Sequence, residues 1–365
     1  MLQSQGGVIP NSRKMKSEAA AIDSGEESGA AEELSNASLY FPYNKDSTSS
    51  SKHLGFRGTI DEFKPFTKET TPMTKVSPVA SMLGHGDSHD SMKSFLTSPC
   101  PMEAGTVACY VKRHKNAICP EYRIYLKHGD VFLMTSKKRR NKKTSNYLIS
   151  MARNDYEKTS ENIIGKLRAN FLGTEFQIYD AGRNPKDKDP FFDEINDDAI
   201  RSELGAVLYA NNLVGNKGPR RMTVCIPKVG DNDRTTKVWQ PSHQDEEMIA
   251  CFKDRMPSAL HHLFLLENKE PTWNEEMRAH VLNFKGRVTH ASVKNFQMVG
   301  MPTRPIVGKS RQNHNHGDGD NDEDVLLQFG RVGKDEFTLD FSWPISPLQA
   351  FAIALSSCDS KISCN

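Results

Sequence analysis

The chain has 365 residues, with 48 Lys and Arg against 46 Asp and Glu, a formal net charge of +2. This near balance excludes a chain-wide attraction to polyanions, so any such partner must be met by locally concentrated charge. Only 36% of residues are hydrophobic and the mean hydropathy is -0.61, which predicts that a substantial part of the chain is disordered.

In chain order, residues 1–106 are predicted to form a disordered tail. Ser, Gly, Ala, Lys and Glu dominate it, and apolar residues are isolated, as at Leu39, Tyr40, Phe41 and Phe63. Too few contiguous apolar faces exist there to offset the entropy lost on folding. Residues 18–34 have the Ala- and Glu-rich composition of a transient helix. The start of the chain lacks an apolar signal region, and no stretch approaches the roughly 18 apolar residues of a membrane span. A membrane would therefore be met from the side. The seven cysteines are odd in number and form no CxxC pair. This predicts reduced thiols, mostly buried, in a cytosolic or nuclear protein.

From residue 107 to 365 a folded domain is predicted. Short runs of β-branched and aromatic residues recur between polar or Gly-containing turns, at 123–126, 131–134, 147–151, 176–179, 207–209, 222–226, 281–284, 325–329 and 337–341. Residues 128–130 (HGD) make a hairpin turn between two of them. Strands in such number predict a sandwich or a barrel. An amphipathic helix is predicted over 245–256, and a surface loop over 300–324, where Pro, His and a run of acids replace any strand pattern. A last helix starts at Pro347, with Ser346 as its N-cap, and is apolar or small on nearly every face. Such a helix must be buried all round, either inside a closed barrel or wedged in an oligomer interface.

The densest charge is the run Lys137, Lys138, Arg139, Arg140, Asn141, Lys142, Lys143. A solvated loop, a nuclear localisation signal and a contact with an anionic surface compete for it, and the last two are compatible. Lys166 and Arg168 stand two apart, so on a strand both leave one face while Leu167 points into the core. Their repulsion is offset if an anion lies between them, and an ammonium beside a planar guanidinium suits phosphate. Arg220 and Arg221 extend a basic face or are ordinary surface charge. The twelve histidines are scattered, and most lack a nearby Ser, Cys or carboxylate at a recognisable motif spacing, so no enzyme is expected. Asp318, Asp320 and Asp322 imitate a calcium loop, but Glu323 and Phe329 stand where Gly and Glu are needed. Neither a metal nor a cofactor is expected.

Several strings together resemble the Tubby family: 142–150 (KKTSNYLIS), 165–174 (GKLRANFLGT), 217–222 (KGPRRM), 283–289 (NFKGRVT), 291–296 (ASVKNF) and 348–357 (LQAFAIALSS). The resemblance covers roughly 109–365. It implies a mainly β fold, a twelve-stranded closed antiparallel barrel threaded by a buried hydrophobic C-terminal helix. It also implies binding of phosphatidylinositol 4,5-bisphosphate and related lipids, without catalysis. Carried over by position, the headgroup ligands are Asn146, Lys166, Arg168 and Arg201, the last in 200–204 (IRSEL). The run from Lys137 to Lys143 becomes an auxiliary contact with an anionic leaflet. The expected location is cytoplasmic, on the inner face of the plasma membrane. In animal members the resemblance further implies partnership of the tail with the intraflagellar transport complex A, delivery of membrane receptors to cilia, and release to the nucleus. A DNA-binding transcription regulator is the competing reading. A ubiquitin-ligase adaptor is disfavoured, because no helical F-box pattern precedes Cys109.

Overall fold

Alternation at period two governs the chain from residue 107. In β2 (Val107–His114) the side chains of Val107, Cys109 and Val111 are buried and those between them are half-exposed, as expected of a strand with one face on a core. The computed structural model describes residues 41–43, 88–115, 119–140, 143–185, 200–210, 221–230, 233, 235–275, 279–301 and 325–359. Among these, twelve strands close into a barrel. They are β2, β3 (Glu121–Leu126), β4 (Val131–Lys138), β5 (Asn146–Ser150), β6 (Ile163–Ala169), β7 (Glu175–Asp180), β8 (Glu203–Tyr209), β9 (Met222–Pro227), β10 (Leu263–Asn268), β13 (Phe296–Gly300), β14 (Val325–Arg331) and β15 (Glu336–Phe341). Every neighbouring pair is antiparallel, and β9 against β10 and β15 against β2 complete the circuit. The turn between β3 and β4 uses Gly129 and Asp130 at positive φ, in the hairpin expected at 128–130.

Inside the barrel lies α4 (Pro347–Ser357), all eleven residues of which are buried. Ser346 caps it by accepting from the Gln349 N–H, and Gln349 returns a bond to the Ser346 N–H. The Gln349 side chain also donates to the Leu204 carbonyl on β8 at 2.8 Å. The wall must thin where the helix passes. At Gly165 of β6, a Cβ would stand 2.9 Å from Leu348 and 3.2 Å from the Tyr179 carbonyl, so the helix can lie against β6 only over a glycine.

Three elements depart from expectation. The strand at 281–284 is β12 (Ala279–Asn283), which lies outside the barrel. It pairs antiparallel with β11 (Thr272–Asn274) and parallel with β1 (Phe41–Tyr43). Leu282 and Phe284 bury themselves with Val288 in a small cluster of their own. The helix expected over 245–256 is a 3-10 turn at Gln244–Glu246, then α2 (Met248–Lys253), then α3 (Pro257–Leu260). Pro257 removes a helical N–H, and the residues before it leave helical geometry. Residues 88–106, assigned by composition to the tail, carry α1 (His89–Thr97). Its Phe95 and Leu96 join the main core, and the N–H of Cys100 donates to the Ile345 carbonyl beside the start of α4. The transient helix at 18–34 and the loop at 302–324 lie outside the described residues.

At the far end of α4 the chain is held by Asp359, which is fully buried. Its carboxylate accepts from the Tyr147 hydroxyl at 2.7 Å and from the Lys138 ammonium at 3.2 Å. Burial and this carboxylate push the Tyr147 phenol well above its ordinary value, so it stays a donor. Lys138 is thus turned to the fold rather than to solvent. Lys138→Ala is expected to cost about 3 kcal/mol by removing the ammonium from a buried carboxylate. Arg139→Ala, one residue on, should change stability by less than about 0.5 kcal/mol. Urea unfolding midpoints of the two variants check this contrast.

Candidate functional site

Period two also decides what the outer wall displays. On β6, Leu167 is buried in the core, while Lys166 and Arg168 leave the opposite face half-exposed. Strand register then chooses their neighbours. Asn146 of β5 lies opposite Arg168, with Gln177 of β7 on the other side, and Tyr179 of β7 lies opposite Lys166. Three of the four headgroup candidates are therefore brought together by hydrogen-bonded pairing alone.

Arg201 arrives differently. It precedes β8, and its segment is pinned to the end of β7. The N–H of Arg201 donates to the Arg183 carbonyl at 2.8 Å, and Ile200 bridges Arg183 in parallel. Gly182 permits this approach, since a Cβ there would stand 2.5 Å from both N and Cα of Arg201 and 2.8 Å from the Ile200 carbonyl carbon. The aspartate at the end of β7 holds the turn, with the Gly182 N–H donating to Asp180 at 2.8 Å.

Tyr179 is the centre of the constellation. Its ring is 3% exposed, with the Arg201 guanidinium carbon 4.0 Å and the Arg168 guanidinium carbon 5.7 Å from its centroid. The ring's negative face lets two guanidiniums share a small area that like charges alone would not tolerate. Burial, then the Glu203 charge, raises the Tyr179 phenol far enough that it stays neutral. Nη1 of Arg201 is buried without a hydrogen-bond partner among the described residues. The Lys166 ammonium donates to the carbonyls of Ala181 and Gly182, both at 2.8 Å. Burial pushes its pKa down to about 8, and the Arg168 charge adds to this, with smaller contributions from Arg201 and Lys158 against Asp180. The cluster is an electrostatically strained set of donors, and an anion would relieve it.

An acidic pair borders the cations. Glu203 is buried, accepts from the Met248 N–H at 2.8 Å and from the Gln177 amide at 3.2 Å, and shares that amide with Glu247 at 2.8 Å. Burial pushes Glu203 up to about 7, opposed by the Met248 N–H and reinforced by Glu247. A cleft of about 380 Å³ opens here, bounded by Tyr179, Arg201, Glu203, His243, Gln244 and Glu247.

The basic run sits in the β4–β5 hairpin, where the Arg139 N–H donates to the Asn146 carbonyl at 2.8 Å. Arg140 and Lys143 are exposed, and Lys137 lies 5.5 Å from the Tyr156 ring centroid. Lys138 is committed to Asp359, and Lys142 lies outside the described residues. Sequence reasoning missed Tyr179, Gly182, Lys158 and the Glu203 pair. Alternation along 176–179 could place Tyr179 on a face, but only register shows which charges flank it.

Residues 96–360 match the Tub family. The chain is 38% identical over 336 residues to Tubby-related protein 2 of Mus musculus, covering 84% of this chain and 55% of that one. It is 39% identical over 282 residues to Tubby-related protein 3 of Mus musculus, covering 75% and 56%. It is 34% identical over 286 residues to Tubby protein homolog 1 of Caenorhabditis elegans, covering 75% and 61%. The chain spans about half the length of the curated relatives it matches.

Gly182→Ala is expected to push the 200–201 backbone off β7. It should lower stability by about 2 kcal/mol. A fall in the urea unfolding midpoint, with the cooperative transition retained, checks this.

Proposed function

Because the chain belongs to the Tub family, we propose that its barrel binds the headgroup of phosphatidylinositol 4,5-bisphosphate and tethers the chain to the cytoplasmic leaflet as an adaptor. The observation that carries this reading is the crowding of Arg168 and Arg201 around one buried tyrosine ring, with Lys166 directly across the strand pair from it. Three cations held this close repel one another, and a ligand with adjacent phosphates would convert that repulsion into affinity. Lys166 supplies a compact charge between phosphates. Arg168 and Arg201 supply forked donors, and Asn146 adds an amide at the edge. Arg139, Arg140 and Lys143, on the neighbouring hairpin, would each add about 1 kcal/mol of attraction near an anionic surface.

In the adaptor role, the tail at 1–106 would bind the intraflagellar transport complex A, and the protein would carry membrane receptors into cilia. Residues 1–40 and 44–87 of that tail lie outside the described residues. Release from the lipid would free the chain for the nucleus, where the same basic wall could meet nucleic acid.

Lys166→Ala with Arg168→Ala is expected to weaken sedimentation with phosphoinositide vesicles by roughly a hundredfold or more, since two charge-assisted contacts are lost. The cooperative unfolding transition should be retained, because neither side chain enters the core. Unchanged vesicle binding would sink the site. Displacement of the vesicles by duplex DNA, but not by inositol 1,4,5-trisphosphate, would move the site to nucleic acid.

A pH dependence follows from Lys166. Its pKa, lowered to about 8 by burial and the neighbouring Arg168 charge, would rise toward the ordinary lysine value when phosphate approaches. Binding therefore takes up a proton near and above pH 8. The Lys166 contribution to affinity should be level below that pH and fall as pH rises through it. Calorimetry in buffers of different ionisation enthalpy reads the uptake directly, and Lys166→Arg should remove it.

A further inference from the structure

The hairpin that follows Arg168 presents two apolar side chains at its tip. Phe171 is 69% and Leu172 59% exposed. Six large hydrophobic residues are exposed among the described residues, and these two alone are consecutive and share one turn. Single exposed apolar residues need no explanation, but two side by side on a loop tip carry a solubility cost. The turn does not leave them free to fold back. Asn170 clamps it, its amide oxygen accepting from the N–H groups of Thr174 at 3.0 Å and Glu175 at 3.3 Å and its amide nitrogen donating to the Thr174 hydroxyl at 3.1 Å. Gly173 turns the chain at φ 78°. The tip is a rigid presentation of apolar surface.

Its surroundings fit one kind of partner. The Ala169 N–H donates to the Ser145 carbonyl at 2.9 Å, so the tip stands beside the β4–β5 hairpin that carries Arg139, Arg140 and Lys143. An apolar point with cations at its side is the pattern of a segment that lies in the headgroup–acyl boundary of an anionic membrane. The strand that ends in this tip also supplies Lys166 and Arg168.

We propose that the β6–β7 turn is an interfacial anchor, in which Phe171 and Leu172 enter an anionic leaflet while the adjacent hairpin's cations meet lipid phosphates. The proposal rests on the reading that the barrel meets a phosphoinositide membrane, and adds a headgroup-independent contact to it. Insertion fixes the barrel's orientation on the leaflet, because the tip and the headgroup ligands belong to one strand.

The test uses the full chain and Phe171→Ser with Leu172→Ser. Its probes are vesicles and monolayers of phosphatidylcholine, phosphatidylserine and phosphatidylinositol 4,5-bisphosphate, together with soluble inositol 1,4,5-trisphosphate. The double variant should bind vesicles on the order of tenfold more weakly, the scale of burying two such side chains partway. Its maximal monolayer insertion pressure should fall, and its trisphosphate affinity should be unchanged. Phe171→Trp should keep vesicle affinity and add an emission, over that of the wild-type chain, that brominated acyl chains quench. Unchanged vesicle affinity and insertion pressure in the double variant would overturn the proposal. So would an equal loss of trisphosphate affinity, which would make the tip a support for β6. Tip-dependent insertion by a wild-type chain that binds no trisphosphate would sink the headgroup site and leave the anchor standing.

Discussion

Enclosure of an apolar helix is the constraint on which the rest of this structure depends. The helix at Pro347–Ser357 has no polar face to offer water, so it must be surrounded, and one antiparallel sheet of twelve strands closes around it. Its ends are held by polar groups that the wall provides. Gln349 reaches the Leu204 carbonyl at one end, while Ser356 meets the Tyr209 hydroxyl and Asp359 meets Lys138 and Tyr147 at the other. Among the described residues, Phe351, Ile353 and Leu355 fill the interior. The candidate side chains Lys166 and Arg168 stand on the outside of the barrel.

Strand β6 shows how the two duties are divided. Gly165 and Leu167 serve the interior, the glycine by yielding room to Leu348. Lys166 and Arg168 serve the exterior, and the turn beyond them presents Phe171 and Leu172. Because the inward residues are packed against the helix, the outward ones stand on a wall that resists displacement. Charge crowding around Tyr179 can then be maintained in the absence of ligand, since the strands hold it there. A looser scaffold would let the cations drift apart.

The electrostatics of the site are balanced rather than uniformly positive. Glu203, poised near pH 7, lies between Arg201 and α2 and shares Gln177 with Glu247. It tempers the field at Arg201 without forming an ion pair there, which leaves the guanidinium available to an incoming anion. The basic hairpin is equally divided. Lys138 secures the end of the buried helix, and Arg140 and Lys143 face solvent.

The sequence by itself determined the strand-rich class, the all-round apolar helix with its Ser346 cap, and the shared face of Lys166 and Arg168. These are local properties, set by period and by capping chemistry within a few residues. It misplaced the start of the folded unit, because Phe95 and Leu96 look isolated until α4 is beside them. It marked a strand at 281–284 but not that this strand stands outside the barrel, because alternation does not say which sheet a strand joins. Only the tertiary structure decided that Tyr179 lies between two guanidiniums, that Gly182 admits Arg201, that Lys138 turns to Asp359, and that the Phe171 turn stands beside the basic hairpin. Each of these depends on register or on close approach between segments distant in the chain, and pairwise geometry of that kind leaves no periodic trace in either segment alone.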